Sequence, residues 1–177
     1  MTLTDGQQEF LRELAWDAIR SRLADRPFAV ELPAAGILAE PGSAFVTLKK
    51  AGRLRGCVGM IFDRYPLGRA VREAALAAMD DPRFPALTAA EAEEVDLTVS
   101  HLGPFVTVED PAEVVAGEHG VYVTDGTRSA LLLPQVAAER NWDTERLLTE
   151  VCRKAGLDGA RWRQPGLTLE VFMGSEF

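Results

Sequence analysis

Strands in this sequence come in adjacent pairs joined by short, turn-forming connections, and that pattern restricts the fold more than any other feature. Ala44–Leu48 reads as one strand, Lys49, Lys50, Ala51 and Gly52 as a turn, and Arg53–Met60 (RLRGCVGM) as the returning strand. Further along, Asp125-Gly126 separates Val121–Thr124 from Ser129–Leu133 in the same way. Val95–His101 alternates apolar Val95, Leu97 and Val99 with polar Asp96, Thr98 and Ser100, and a last strand is expected over Leu167–Phe172. Parallel pairing needs a crossover of about a dozen residues or more, which hairpins do not supply. The fold class expected is α+β: a mainly antiparallel sheet built from hairpins with flanking helices, two lobes in one compact domain. The two lobes follow from a faint duplication, since AFVTLKKAGRLRGCVG and VYVTDGTRSALLLPQ each read as strand, Gly-containing turn with Arg, strand, then helix.

Helical spacing fills the intervals. Thr4 with Gln7 forms a capping box ahead of Phe10, Leu11, Leu14, Ala15, Ala18, Ile19 and Leu23. A second helix opens at Pro66 and aligns Leu67, Ala70, Val71, Ala74, Ala75 and Ala78, and residues 88–94 (TAAEAEE) read as a short acidic helix. Pro134 sits where a helix can start. Asp143 caps the last helix, with Trp142 and Leu147 as a hydrophobic staple and Leu148, Val151, Cys152 and Ala155 as the buried stripe. Residues 31–43, rich in Gly, Pro and Ala, are expected to be irregular.

Composition removes several function classes. At about 100 to 200 residues per domain, 177 residues make a single domain, 1–177. Two cysteines far apart form neither a disulfide framework nor a metal knuckle, and with two histidines they show no ligand spacing, so no metal and no cofactor is expected. With 19 Lys plus Arg against 27 Asp plus Glu the formal charge is −8, which disfavours a phosphate-backbone binder. No run reaches the roughly 18 apolar residues of a membrane span, and MTLTDGQQEF lacks a basic region followed by an apolar core. The location expected is the cytoplasm, with no membrane partner.

The hexapeptide Leu54-Arg55-Gly56-Cys57-Val58-Gly59 carries the most chemistry. Two glycines weaken a strand unless a bulge, a close backbone or a ligand needs the missing side chains. Residues 55 and 57 share a strand face, so Arg55 is placed to raise the thiolate fraction of Cys57. The competing reading is a small buried thiol that fills space. Downstream, prolines stiffen Asp81-Pro82-Arg83-Phe84-Pro85, which either presents Arg83 as an anion clamp or ties it to Asp80 or Asp81 with Phe84 in the core. At Leu133-Pro134-Gln135 a strand passes into a helix whose first N–H groups and Gln135 amide suit an anion, although ordinary capping explains the same residues.

The run LRGCVG strongly resembles the LRGCIG signature of the AMMECR-type domain family, the family that supplies AmmeMemoRadiSam system protein A. FVTLKK, the DPRFP segment with Leu87, LLLPQVAAERNWD and CRKAGL agree with it in order, and the resemblance covers about residues 8–172. Departures are small: Val58 replaces Ile, Ala86 stands where a second proline is common, and His101 occupies an expectedly aliphatic position. The resemblance implies an α+β domain with a smaller second lobe, and its system name implies Memo-like and radical SAM companions. It implies no reaction.

Two functions follow. One is an enzyme or enzyme component binding a small anionic or peptide ligand around the LRGCVG strand, with Cys57 as nucleophile or carrier and Arg55, Gly56, Gly59, Asp81, Arg83 and Gln135 binding. The other is a non-catalytic module docking the Memo-like and radical SAM proteins. His101 lies on a core-facing strand position, His119 in a turn as a base for Cys57 only if the fold brings the two together, and Cys152 in an apolar stripe.

Overall fold

Thr4 starts the first helix through a reciprocal pair of hydrogen bonds. In the computed structural model, which describes residues 3–177, Gln7 N–H donates to the Thr4 hydroxyl at 3.4 Å and Thr4 N–H donates to the Gln7 amide oxygen at 2.9 Å. This is the expected capping box, and α1 runs Asp5–Leu23. Leu11, Leu14, Ala15, Ala18 and Ile19 form its buried stripe. Asp17, also buried, reaches out of α1 to accept the N–H groups of Ala29 (2.8 Å) and Val30 (2.9 Å), which anchors the irregular connection that follows.

That connection ends in β1 (Pro41–Lys50), joined to β2 (Arg53–Pro66) by Ala51 and Gly52 alone. Both turn residues have positive φ, +49° and +74°, the mirror-image turn whose twist matches that of the flanking strands. Lys49 and Lys50, expected in the turn, are therefore strand residues. β2 also continues six residues past Met60, the end expected from sequence. Over that extension the register shifts between Gly42 and Ala44, Phe62 and Asp63 adopt positive φ, and the Ser43 hydroxyl donates to the Asp63 carboxylate at 2.9 Å. An irregular stretch of this kind has no two-residue periodicity to read.

The chain through Leu102, together with Ser175–Phe177, makes one compact unit. Its four-stranded sheet has the order β2-β1-β3-β8, with β3 at Val95–Leu102 and β8 at Gly174–Glu176. Ala44, Val46, Leu48, Val95, Leu97 and Val99 are buried in one core with α1 and with α2 (Leu67–Met79), whose Ala74, Ala75 and Ala78 are small enough for close packing. The short acidic helix α3 spans Ala89–Ala92 behind a Thr88 cap.

Two glycines decide how β2 is packed. A Cβ on Gly56 would lie 2.2 Å from the Ala78 carbonyl oxygen, so this position lets the end of α2 approach the strand backbone. A Cβ on Gly59 would meet the Phe45 ring at 2.4 Å, because the ring of the directly opposite residue folds over it. Both glycines of the hexapeptide thus have a packing function.

Gly103–Gly174 forms the second unit, with its own sheet in the order β4-β7-β5-β6: β4 at Val106–Thr107, β5 at Gly120–Thr124, β6 at Ser129–Leu132 and β7 at Thr168–Phe172. Every strand pair with a resolved register in either unit is antiparallel, as the hairpin pattern requires. Helices α4 (Pro134–Arg140) and α5 (Thr144–Lys154) complete it. Asp143 caps α5 by accepting Arg146 N–H at 2.7 Å, and Leu147, Leu148, Val151 and Cys152 are fully buried. The β5–β6 connection has the four residues left between the expected strands, and the Asp125 carboxylate gathers the N–H groups of Thr127 (3.0 Å) and Arg128 (2.7 Å) to close it. Among the described residues, no helix is long and apolar enough to cross a membrane.

The two glycine substitutions should behave differently in denaturant unfolding. Gly56→Ala and Gly59→Ala each destabilise by about 2 kcal/mol or more, the cost of overpacking. Adding Phe45→Leu recovers part of the Gly59→Ala loss, since the obstacle is a side chain. No side-chain truncation recovers Gly56→Ala, whose obstacle is a helix carbonyl, and a rescue of that variant by Asp81→Ala would contradict this packing.

Candidate functional site

Cys57 lies in β2, the outermost strand of its sheet, directly opposite Thr47 of β1. It is half-buried, and the Thr47 hydroxyl donates to its Sγ at 3.3 Å. Its backbone meets the loop that follows α2. Cys57 N–H donates to Asp81 Oδ2 at 2.9 Å, and its carbonyl accepts from Arg83 Nη2 at 3.2 Å. The two side chains cap the outward polar groups that an edge strand otherwise leaves unpaired.

Asp81 makes this possible. Its carboxylate is 2% exposed and also accepts the Arg83 N–H (3.1 Å), Nε (3.0 Å) and Nη2 (2.6 Å). The Arg83 side chain holds Asp81 far below the ordinary carboxylate range, against the opposing effect of burial and with the Cys57 N–H adding to it. Arg83 is shifted upward in turn, chiefly by Asp81, and the Cys57 sulfur adds a coulombic contribution. The guanidinium is 56% exposed, and its Nη1 has no protein acceptor among the described residues.

Arg55 does not serve Cys57. It is buried and forms a two-pronged pair with Glu91 of α3, Nε to Oε1 at 3.1 Å and Nη2 to Oε2 at 2.9 Å. Hydrogen bonding from Arg55 lowers Glu91 to about 2, and Lys50 lies 3.7 Å from the same carboxylate. Arg55 therefore braces α3 against β2, and Arg83 is the cation the fold brings to the Cys57 backbone. The tie of Arg83 to Asp81 is one of the two arrangements expected for the proline-stiffened loop. Phe84 departs from it: the ring is half-buried, 5.9 Å from the Arg55 guanidinium and 5.6 Å from that of Arg83, instead of lying in the core.

The remaining candidates lie elsewhere. Gln135 is the second residue of α4, a helix of only seven residues in the second unit, and its N-cap Leu133 makes no side-chain cap. His119, also in the second unit, accepts Val115 N–H on Nδ1 at 3.1 Å within its own turn. Cys152 is fully buried, and desolvation pushes its thiol upward. His101 is half-buried opposite Ala44, and burial lowers its pKa. Among the described residues, no group of three His, Cys, Asp or Glu side chains is placed to hold a metal ion. Sequence reasoning missed Thr47 and Glu91, which only strand register and the packing of α3 bring to Cys57 and Arg55.

A model of the AMMECR1 family matches residues 12–177 of the chain. Protein MK0488 of Methanopyrus kandleri is 42% identical in an alignment of 187 positions, which takes in 100% of this chain and 89% of that protein. A protein of Aeropyrum pernix is 39% identical over 180 positions, 96% of this chain and 78% of its own length. The crystal structure of uncharacterized protein PH0010 from Pyrococcus horikoshii superposes with a TM-score of 0.92 at 35% identity, covering 98% of this chain and 92% of that one.

The Asp81 clamp has a pH signature. A carboxyl held below its unfolded value contributes stability that is complete above the unfolded pKa, about 3.9, and is lost as pH falls toward the folded value. At neutral pH, Asp81→Asn should destabilise by about 2 kcal/mol, since it breaks a buried, hydrogen-bonded charge pair whose other member is largely solvated. The gap between the two proteins should narrow between about pH 5 and pH 3 in denaturant titrations. A gap constant across that window would remove the clamp.

Proposed function

The chain belongs to the AMMECR1 family, and we propose that it is an enzyme or enzyme component whose ligand sits along β2 with Cys57 as nucleophile or covalent carrier. The observation that carries this reading is the contrast between two thiols. Cys57 is half-buried, receives a hydrogen bond on sulfur from Thr47 and has the Arg83 guanidinium on its backbone carbonyl, whereas Cys152 is fully buried in an apolar stripe. A thiol with access to solvent can meet a ligand and act as a nucleophile, whereas a thiol enclosed in apolar packing is inert. In the step open to it, sulfur attacks an electrophilic carbon. The C–S bond forms, the leaving group departs with its electron pair, and the thiol proton passes to water.

Arg83, with Nη1 directed to no protein acceptor among the described residues, supplies the positive end for a small anionic ligand. Arg55 stands behind it as a brace through Glu91. The protein works in the cytoplasm as the A component of an AmmeMemoRadiSam system. A second reading, a non-catalytic module that docks Memo-like and radical SAM proteins, is favoured by the exposure of Leu54 (43%) and Phe62 (46%) on the same edge strand.

Iodoacetamide labelling followed by mass spectrometry tests the thiol directly. Cys57 should be labelled in the native protein and Cys152 only on unfolding, so that Cys57→Ser removes native labelling and Cys152→Ser leaves it. Arg83→Gln should slow labelling of Cys57 by roughly threefold to tenfold. Equal resistance of both thiols, or an unchanged rate in Arg83→Gln, contradicts the nucleophile reading. Retention of a Memo-like or radical SAM protein on the immobilised chain, lost in Arg83→Ala but kept in Cys57→Ser, would favour docking instead.

A further inference from the structure

We infer that β2 accepts a short extended peptide as an added antiparallel strand, with the C-terminal carboxylate of that peptide held by Arg83. This names the ligand class of the site along β2 and rests on the reading of that strand as a ligand site.

The argument begins with which way the β2 backbone points. Asp81 and Arg83 reach the N–H and C=O of Cys57 on the side away from β1. In an antiparallel strand both polar groups of a residue face the same side, and alternate residues share it. The pairing Val46↔Val58, Phe45↔Gly59, Ala44↔Met60 is unbroken, so Gly59 also turns both polar groups outward, and the N–H of Ile61, opposed across its peptide to the inward Met60 carbonyl, points the same way before the register shifts. Neither has a hydrogen-bond partner on that side among the described residues. Both are half-exposed, and among the described residues no other strand of the sheet lies beyond β2. The edge therefore offers two donors, Gly59 and Ile61 N–H, and the Gly59 carbonyl as acceptor, at the spacing a peptide backbone matches.

Both ends of this open stretch are closed. Phe62 and Asp63, at φ +63° and +48°, turn the chain out of extended geometry at one end. At the other, the Asp81 and Arg83 side chains already occupy the place where an added strand would pair with Cys57. A guest strand must stop there, which calls for a chain terminus. The group facing that terminus is Arg83, a 56% exposed guanidinium with Nη1 unengaged by any protein acceptor among the described residues. A carboxylate complements it, and an ammonium would be repelled. A C-terminus lying at the Cys57 end fixes the direction, because the guest then runs from Ile61 toward Cys57, opposite to β2. That direction also brings its last residue to the half-buried thiol.

The test uses the full chain and a defined probe, acetyl-Thr-Val-Thr-Val-Ala with a free C-terminus, followed by amide chemical shifts. Saturable shifts at Gly59 and Ile61 with a Kd near 1 mM or tighter (about −4 kcal/mol) are expected. The same peptide with a C-terminal amide should bind roughly threefold to tenfold more weakly, and Arg83→Gln should bring the free acid to that level. A peptide N-methylated at every amide should not bind. The inference is overturned by absent saturation at Gly59 and Ile61, by equal binding of the N-methylated peptide, or by equal binding of the acid and amide forms. It is also overturned if these amides shift with protein concentration alone while the particle doubles in size, which would place a second copy on the edge. Failure of the peptide with selective Cys57 labelling intact refutes only this inference, and loss of that selectivity with peptide binding kept refutes only the thiol reading.

Discussion

Asp81 retains its negative charge at 2% exposure because backbone and guanidinium N–H groups converge on it from two directions, Cys57 on one side and Arg83 on the other. A charge removed from water to that degree is tolerated only when its lone pairs are filled by donors, and here the donors also define the site. The pairing binds the loop after α2 to the edge strand. It satisfies both outward groups of Cys57 and aligns a partly solvated arginine beside a half-buried thiol. Gly56 completes the arrangement, since any side chain there would push away the end of α2 and the loop that follows it. The ligand chemistry proposed for β2 depends on this one joint.

The arginines show why residue type alone does not assign a role. Arg55 shares a strand face with Cys57 yet is taken up by Glu91 on a short helix that packs across it. Arg83, 26 residues away in the chain, reaches the Cys57 carbonyl because Asp81 orients its fork. Both cations are paired, so the positive character left over for a ligand is confined to the unengaged edge of Arg83. This small residue of charge is compatible with a net charge of −8 and favours a single carboxylate over a polyanion.

Much of the fold was legible in the sequence because its signals are local. The Thr4 capping box, the α2 alanine stripe and the Asp143 cap are set by neighbours three and four residues apart, and all are present. Other features depend on pairing. The turn at Ala51 and Gly52 pairs Lys50 with Arg53 and Lys49 with Leu54; continued unbroken, it would set Val46 opposite Cys57. A register shift between Leu48 and Lys49 puts Thr47 there instead, and the hydroxyl that contacts Sγ was invisible for that reason. Strands β4 and β8, two and three residues long, are too short to show alternation. Within the candidate site, Cys57, Asp81 and Arg83 stood out through glycine, proline and thiol chemistry, while the partner of Arg55 required the packing of α3.

The joint itself can be observed through one amide. Native-state hydrogen exchange of Cys57 N–H, compared in the wild type and in Asp81→Asn, reports whether the Asp81 carboxylate holds it. Slow exchange in the wild type that accelerates in the variant toward the rate of the uncapped Gly59 amide is the expected result. A Cys57 amide that exchanges as fast as Gly59 in the wild type would contradict the clamp, and with it the placement of Arg83 beside the thiol.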